Sequence, residues 1–227
     1  MNNLKGILLV DKQKDKTSFS IIHILRKVLN VKKIGHSGTL DPFATGLMVI
    51  LIGKEYTTLS DKFINFKKEY IGKLHLGYTT ETFDSESELN KVSDHVPVIL
   101  EIEKTIEKFK GSIEQIPPMY SAKKINGQKL YNLARKGISI QRAPIKVEVE
   151  IEILNYTYPY LEIKINCSKG TYIRTLANDI GRHLKTGAYL KELRRTKVGP
   201  FNVDDSLKQD TQLLKELILQ KLILKTL

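Results

Sequence analysis

The chain has 227 residues, 41% of them hydrophobic, enough to build the core of one large domain or two small ones. Lys and Arg number 37 against 25 Asp and Glu, a formal net charge of +12 that suits a polyanionic partner. One cysteine excludes an intrachain disulfide or a cysteine cluster for a metal. The histidines show no metal-ligand spacing, no apolar run approaches the roughly 18 residues of a membrane span, and the first residues lack the layout of a secretory signal, so a reducing cytoplasm is the expected setting.

Gly6 to Val10 reads as a buried strand. Thr17 or Ser18 then caps a helix whose apolar face is Ile21, Ile22, Leu25, Val28 and Leu29. The stretch from Ile34 to Gly46 (I-G-H-S-G-T-L-D-P-F-A-T-G) is punctuated by glycines and contains one acid, Asp41. Pro42 biases Asp41 away from the helical region and lacks a backbone donor. Two readings fit: a helix start, with Asp41 as N-cap and Pro42 first in the helix, or a carboxylate held on a constrained loop for chemistry. Leu47 to Ile52 is a continuous apolar run that must be buried.

Tyr70, Leu74, Leu76 and Tyr78 share the even parity of a strand, with Lys73 and His75 opposite. Thr82 to Asp94 is polar and acidic, a surface loop. Ile99, Ile102, Ile106 and Phe109 have helical spacing. Lys146 to Tyr156 and Tyr160 to Cys167 read as antiparallel partners across a turn at Pro159, with Cys167 a small core residue. Ile173, Leu176, Ala177, Ile180 and Leu184 make the stripe of a helix beginning near Thr171, which places Arg174 in its first turn. A cation there opposes the helix dipole at a cost of up to about 1 kcal/mol. Such an arginine serves a phosphate or a carboxylate, or is an ordinary exposed side chain. Leu213, Leu214, Leu217 and Ile218 predict one amphipathic helix in the tail. Strands and helices alternate without a regular βαβ rhythm, which argues for α+β with a mainly antiparallel sheet.

From Gln115 to Val147 there is no acid, but Lys123, Lys124, Lys129, Arg135, Lys136, Arg142 and Lys146 occur beside Tyr120 and Tyr131. A phosphate-tracking arm and a solvated basic face both fit that composition.

Six strings, in order, carry a resemblance. G-H-S-G-T-L-D-P-F-A-T-G around Asp41 resembles the signature loop of the bacterial tRNA pseudouridine synthase B (TruB) family. Lys68-Glu69-Tyr70 resembles the family's K-x-Y, and Leu76-Gly77 with Thr80, Thr82 and Asp84 its L-G-x-x-T-x-T-x-D. Gln115 to Gly137 resembles its RNA-gripping insertion. Ser168 to Thr175 resembles S-x-G-T-Y-I-R-[ST]. Leu193-Arg194-Arg195 followed by Val198-Gly199-Pro200-Phe201 closes the set, which spans roughly residues 4 to 203.

The resemblance implies the pseudouridine synthase fold: a catalytic domain over 1–203, an insertion at about 111–143, and a helical tail over 204–227 without the C-terminal PUA domain of longer members. The implied activity is conversion of uridine 55 in the tRNA T loop to pseudouridine. In that scheme Asp41 is the nucleophile and Arg174 its partner. Tyr70 stacks on the base and helps the late proton transfer. His36 fills the gap left by the flipped nucleotide, and Tyr172 and Leu193 line the uracil pocket. Lys123, Lys124 and Lys129 meet the RNA backbone. Read unaided, Tyr70, Tyr172 and Leu193 also fit core packing, and His36 a loop histidine.

One ionised carboxylate suits an isomerisation better than glycoside hydrolysis, which usually needs two. The expected partner is the tRNA T arm, with no cofactor, no metal, no membrane and no obligatory protein partner, and the chain is expected to be a monomer. The family usually opens D-K-P-x-G-x-[ST]-S; here Gln13 and Asp15 replace the Pro and Gly, which is expected to alter that loop. A non-catalytic RNA-binding or tRNA-folding protein of the same fold is the first alternative. A guide-RNA-dependent relative is the second, disfavoured by the short tail.

Overall fold

A computed structural model of the chain describes residues 4–121, 123–125, 127–208 and 215–223. In chain order its elements are β1 (Gly6–Lys12), α1 (Ser18–Leu29), β2 (Ile34–His36), β3 (Thr45–Ile52), α2 (Lys54–Thr58), α3 (Ser60–Ile64) and β4 (Lys68–Leu76). Then come β5 (Tyr78–Thr79), β6 (Asn90–Lys91), α4 (Ile99–Glu107), β7 (Gly111–Gln115), β8 (Lys124–Ile125), β9 (Gln128–Lys129) and α5 (Leu130–Ala134). The chain continues through β10 (Ile145–Thr157), β11 (Tyr160–Cys167), α6 (Ile173–His183), β12 (Ala188–Val198), β13 (Phe201–Asn202), β14 (Leu207–Lys208) and α7 (Lys215–Lys221). Two compact units divide it: residues 1–71 with 193–227, and residues 72–192.

In the first unit the strand order is β14-β1-β3-β12, and β3 is central because Leu47 to Ile52 are apolar on both faces and all buried. β3 pairs antiparallel with β1, from Gly6 opposite Ile52 to Lys12 opposite Gly46. Its other edge takes β2 antiparallel at one end (His36 opposite Ile50) and β12 parallel at the other (Arg194 opposite Thr45, Arg195 opposite Gly46). Ile7, Leu9, Leu47, Val49, Leu51 and Phe63 belong to one core cluster. α1 forms as its periodicity predicts: Thr17 caps it by accepting from the Ser20 amide at 3.1 Å, and Ile21, Ile22, Leu25 and Leu29 are buried. In the tail, Ile218 of α7 is buried and Ile223 bridges to Ile7, while Leu213 and Leu214 lie outside the described residues.

Asp41 starts no helix. Asp41-Pro42-Phe43 is a turn, closed by the Ala44 amide donating to the Asp41 carbonyl at 3.1 Å, and a strand follows. The N-cap reading fails because the run after Gly46 is apolar on both faces and is taken into the sheet. Asp15 adopts the left-handed conformation, φ 62°, at the position where the family opening has Gly. Asp is among the few residues that tolerate this region.

In the second unit, which takes β4 from Gly72 onward, the strand order is β4-β11-β10-β7. β10 and β11 are the expected antiparallel partners, running from Val149 opposite Cys167 to Thr157 opposite Tyr160, with an irregularity between Ile153 and Asn155. Val147, Val149, Ile151, Leu161, Ile163, Ile165 and Cys167 are buried, as are Ile102 and Ile106 of α4 and Leu176, Ala177 and Ile180 of α6. The even parity of β4 stops at Leu76. Gly77, at φ 90°, ends the strand, so Tyr78 falls on β5. α6 begins at Ile173, two residues later than the spacing of its stripe predicts. Tyr172 stays extended because the buried Gln115 side chain claims its backbone: the Tyr172 amide donates to Oε1 at 2.7 Å and Gln115 Nε2 donates to the Tyr172 carbonyl at 3.0 Å.

Candidate active site

In the first unit, Asp41 sits half-buried on the loop joining β2 to β3. Its neighbours are gripped from two sides. On the near side, Ser18 at the head of α1 both donates to the Leu40 carbonyl (3.0 Å) and accepts from the Leu40 amide (2.9 Å). Beyond Asp41, the Pro42 carbonyl accepts from the Asp15 amide at 2.9 Å and from Lys12 Nζ at 3.0 Å. Lys12 is fully buried, and its ammonium also donates to the carbonyls of Gln13 (2.9 Å) and Lys16 (2.7 Å). A buried cation is costly unless it is bonded, and here carbonyls from two loops hold it. Removing it would strand those acceptors, at about 1–3 kcal/mol per buried group.

Arg195 does the same work beneath the loop. It is 2% exposed, its Nε donates to the Leu47 carbonyl at 2.7 Å, and Nη2 donates to the Gly38 carbonyl at 3.2 Å. The loop re-enters β3 at Gly46, where the backbone of Arg195 runs alongside. A Cβ on Gly46 would lie 2.2 Å from the Arg195 carbonyl oxygen. The last glycine of the string is therefore set by this close approach and by a φ of 107°.

His36 ends β2 and accepts from the Gly38 amide on Nδ1 at 3.3 Å. Burial, reinforced by the Arg195 charge, lowers its pKa below the usual histidine value, so the ring is neutral at pH 7. Tyr70 lies on the inward parity of β4, 9% exposed. Leu193 is buried, and its carbonyl accepts from Thr45 Oγ1 at 3.5 Å.

Arg174 and Tyr172 fall in the second unit. Arg174, in the first turn of α6, is 5% exposed, so the ordinary exposed arginine is excluded. Its Nη1 lies 3.4 Å from Oδ2 of Asp84, itself 1% exposed. Nη1 also donates to the Thr82 carbonyl at 3.0 Å and Nη2 to the Tyr120 carbonyl at 2.7 Å. The T-x-T-x-D string now has a physical role. Thr80 Oγ1 donates to the Asp84 carbonyl at 2.8 Å, Thr82 Oγ1 donates to the Asp84 carboxylate, and so does the Glu86 amide at 3.0 Å. These bonds build a turn that holds a buried carboxylate against the guanidinium, which offsets the cation's opposition to the helix dipole.

In the insertion, Arg142 is structural: Nε donates to the Pro117 carbonyl at 2.9 Å and Nη1 to the Ile140 carbonyl at 2.7 Å. Lys124 and Lys129 pair across the β8–β9 hairpin, but their side chains lie outside the described residues; Lys123 is half-buried. Sequence reasoning gave no role to Lys12, Asp84 or Arg195. Each stands in or beside a family string, and that was the only available signal, because burial of a charged side chain cannot be read from spacing.

A mixed, mainly antiparallel sheet with an Asp-bearing loop leading into β3 is the architecture of a class, the pseudouridine synthases. Among solved structures, the chain resembles the crystal structure of a Cbf5-Nop10-Gar1 complex with a TM-score of 0.71 and 28% identity, over 90% of this chain and 52% of that one. It thus spans about half of that structure's chain. A crystal structure of a pseudouridylate synthase matches in fold, with a TM-score of 0.50 and 17% identity, over 97% of this chain and 75% of that one.

Two family models cover nearly all of the sequence. The TruB family pseudouridylate synthase N-terminal domain matches residues 26–173, and the tRNA pseudouridylate synthase B C-terminal domain residues 174–224. Among relatives, the tRNA pseudouridine synthase B of Protochlamydia amoebophila is 52% identical, over 91% of this chain and 79% of that protein. That of Chlamydia abortus is 51% identical, over 89% of this chain and 86% of its own. The chain belongs to the TruB family of pseudouridylate synthases.

Proposed function

We propose that the protein is a stand-alone tRNA pseudouridine synthase acting on uridine 55 of the T loop. The observation that carries this is the identity of about half to bacterial tRNA pseudouridine synthases B over nine-tenths of the chain, coinciding with an Asp41 loop fixed on both flanks. The 28% likeness to the Cbf5-containing complex is much weaker, so a guide-RNA-dependent role is the lesser reading.

In this reading the target uridine leaves its stack to reach the carboxylate. Asp41 acts at the sugar as nucleophile or proton shuttle, Arg174 serves the same chemistry, and Tyr70 stacks on the freed base. His36, neutral and half-buried, takes the place the base vacated, and Tyr172 and Leu193 shape the uracil pocket. The N1–C1′ bond breaks, the base turns, and C5 joins C1′. C5 loses its hydrogen as a proton and N1 gains one, so product and substrate are isomers and the balance needs no oxidant, reductant or group donor. Lys123, Lys124 and Lys129 meet the phosphates of the T arm.

The test is incubation of purified protein with unmodified tRNA transcript, no additive beyond the Mg²⁺ that folds the RNA, followed by site-resolved pseudouridine mapping. Complete conversion at position 55 is expected. Binding without any pseudouridine would leave a tRNA-folding protein, and conversion only with an added guide RNA would establish the lesser reading.

A further inference from the structure

The N-terminal loop forms one wall of a pocket of about 350 Å³. The first unit's sheet builds the rest. Asp11 of β1 pairs with Lys208 of β14 on one side. On the other, Thr45 at the start of β3 pairs with Arg194 of β12, so strands β14, β1, β3 and β12 bring these side chains to one end of the sheet. Gln13 and Lys14 close the wall from the loop.

The pocket is strongly basic. Lys12, Lys14, Arg194 and Lys208 line it against one acid, Asp11, a net charge of +3 (4 − 1). The cations have distinct duties. Lys12 is fully buried and spent on backbone carbonyls, so it supplies field and no contact. Arg194 is oriented by Asp11 in a two-pronged pair, Nη1 to Oδ1 at 3.0 Å and Nη2 to Oδ2 at 2.8 Å, while its side chain stays 41% exposed. That pair fixes the guanidinium without hiding it. Lys14 and Lys208 are exposed at the rim. An oriented arginine flanked by two solvated lysines in a concave, net-positive site suits a singly charged phosphodiester. The position agrees: Lys12, which lines the pocket, also donates to the carbonyl of Pro42, the residue after Asp41, so the pocket lies beside the loop that carries the carboxylate.

We propose that this pocket binds a backbone phosphodiester of the RNA, beside the nucleotide presented to Asp41 and outside the uracil pocket. The inference rests on the reading of the protein as a tRNA enzyme. A free phosphate or mononucleotide offers the same chemistry, and the test separates the sources.

The experiment compares wild type, the Lys14→Gln/Lys208→Gln double variant, and a control, Lys62→Gln/Lys104→Gln, which removes two exposed lysines elsewhere. Binding of unmodified tRNA transcript is titrated with salt, and single-turnover conversion is measured at saturating tRNA. In the double variant the log–log salt slope should shrink by about 0.7–0.9, the share of one phosphate. The control slope should stay near the wild-type value. In parallel, Lys14 and Lys208 should be protected from an amine-acylating reagent by tRNA, and not by the same concentration of inorganic phosphate or uridine monophosphate.

Equal slopes for the wild type and double variant would overturn the inference, as would an equal loss in the control. Equal protection by inorganic phosphate would also overturn it, in favour of a free-phosphate site. A wild type that neither binds nor converts tRNA overturns the functional reading together with this one. A wild type that does both, beside an unchanged double variant, overturns the pocket alone.

Discussion

Asp41→Asn will give no measurable pseudouridine while still binding tRNA within about tenfold of wild type. The amide is isosteric with the carboxylate but has no anionic oxygen to attack the sugar or take its proton. Loss of a nucleophile costs enzymes as much as roughly 10⁶ in turnover. The loop should persist, because its neighbours are held by backbone bonds: Leu40 through Ser18, Pro42 through Lys12 and Asp15. The RNA contacts assigned to the insertion lie elsewhere in the chain. Single-turnover assays beside thermal melts decide the matter. A variant with wild-type turnover would remove Asp41 from the chemistry, and a variant that no longer folds would make the carboxylate structural.

Gly46→Ala is expected to unfold or severely destabilise the protein, although it adds one methyl. The new Cβ would lie 2.2 Å from the carbonyl oxygen and 2.7 Å from the amide nitrogen of Arg195, and backbone cannot swing aside as a side-chain tip can. A φ of 107° adds strain for any residue with a Cβ. Overpacking at about 1–3 kcal/mol plus backbone strain of about 1–3 gives a total of roughly 2–6 kcal/mol. For a chain of this size that is a melting-temperature drop on the order of 5–20 °C. Gly38→Ala is the internal comparison: its nearest neighbour would be the flexible Arg195 Nη1 at 3.5 Å, so it should melt closer to wild type. Equal melting temperatures for Gly46→Ala and wild type would mean that β3 and β12 do not approach as described.

That contrast also shows what the sequence could reveal. The apolar run at Leu47 to Ile52, the stripe of α1 and the alternation of β10 and β11 are periodic, and periodicity is readable without neighbours. Asp41 misled on local chemistry, because an Asp-Pro pair has the same signature in a helix cap and in a turn that feeds a strand; the sheet around β3 decides between them. Lys12, Asp84 and Arg195 were illegible for a different reason. Each is a charged side chain whose burial depends on carbonyls and carboxylates distant in sequence: Pro42 for Lys12, Arg174 for Asp84, Gly38 and Leu47 for Arg195. No local pattern announces such partners. Gln115 is the same case, since its hold on the Tyr172 backbone spans 57 residues and delays the start of α6.

Release of hydrogen from the base tests the central claim most directly, because pseudouridine formation replaces the uracil C5–H bond with a C5–C1′ bond. With tRNA transcript carrying tritium at C5 of its uridines, wild-type protein should release the label of one uridine per tRNA into water, from position 55, with no free uracil. Asp41→Asn should release none. Appearance of free uracil and an abasic site would mean glycosidic cleavage without rejoining. Tight binding by the wild type with no label in water would mean that the protein handles tRNA without isomerising it.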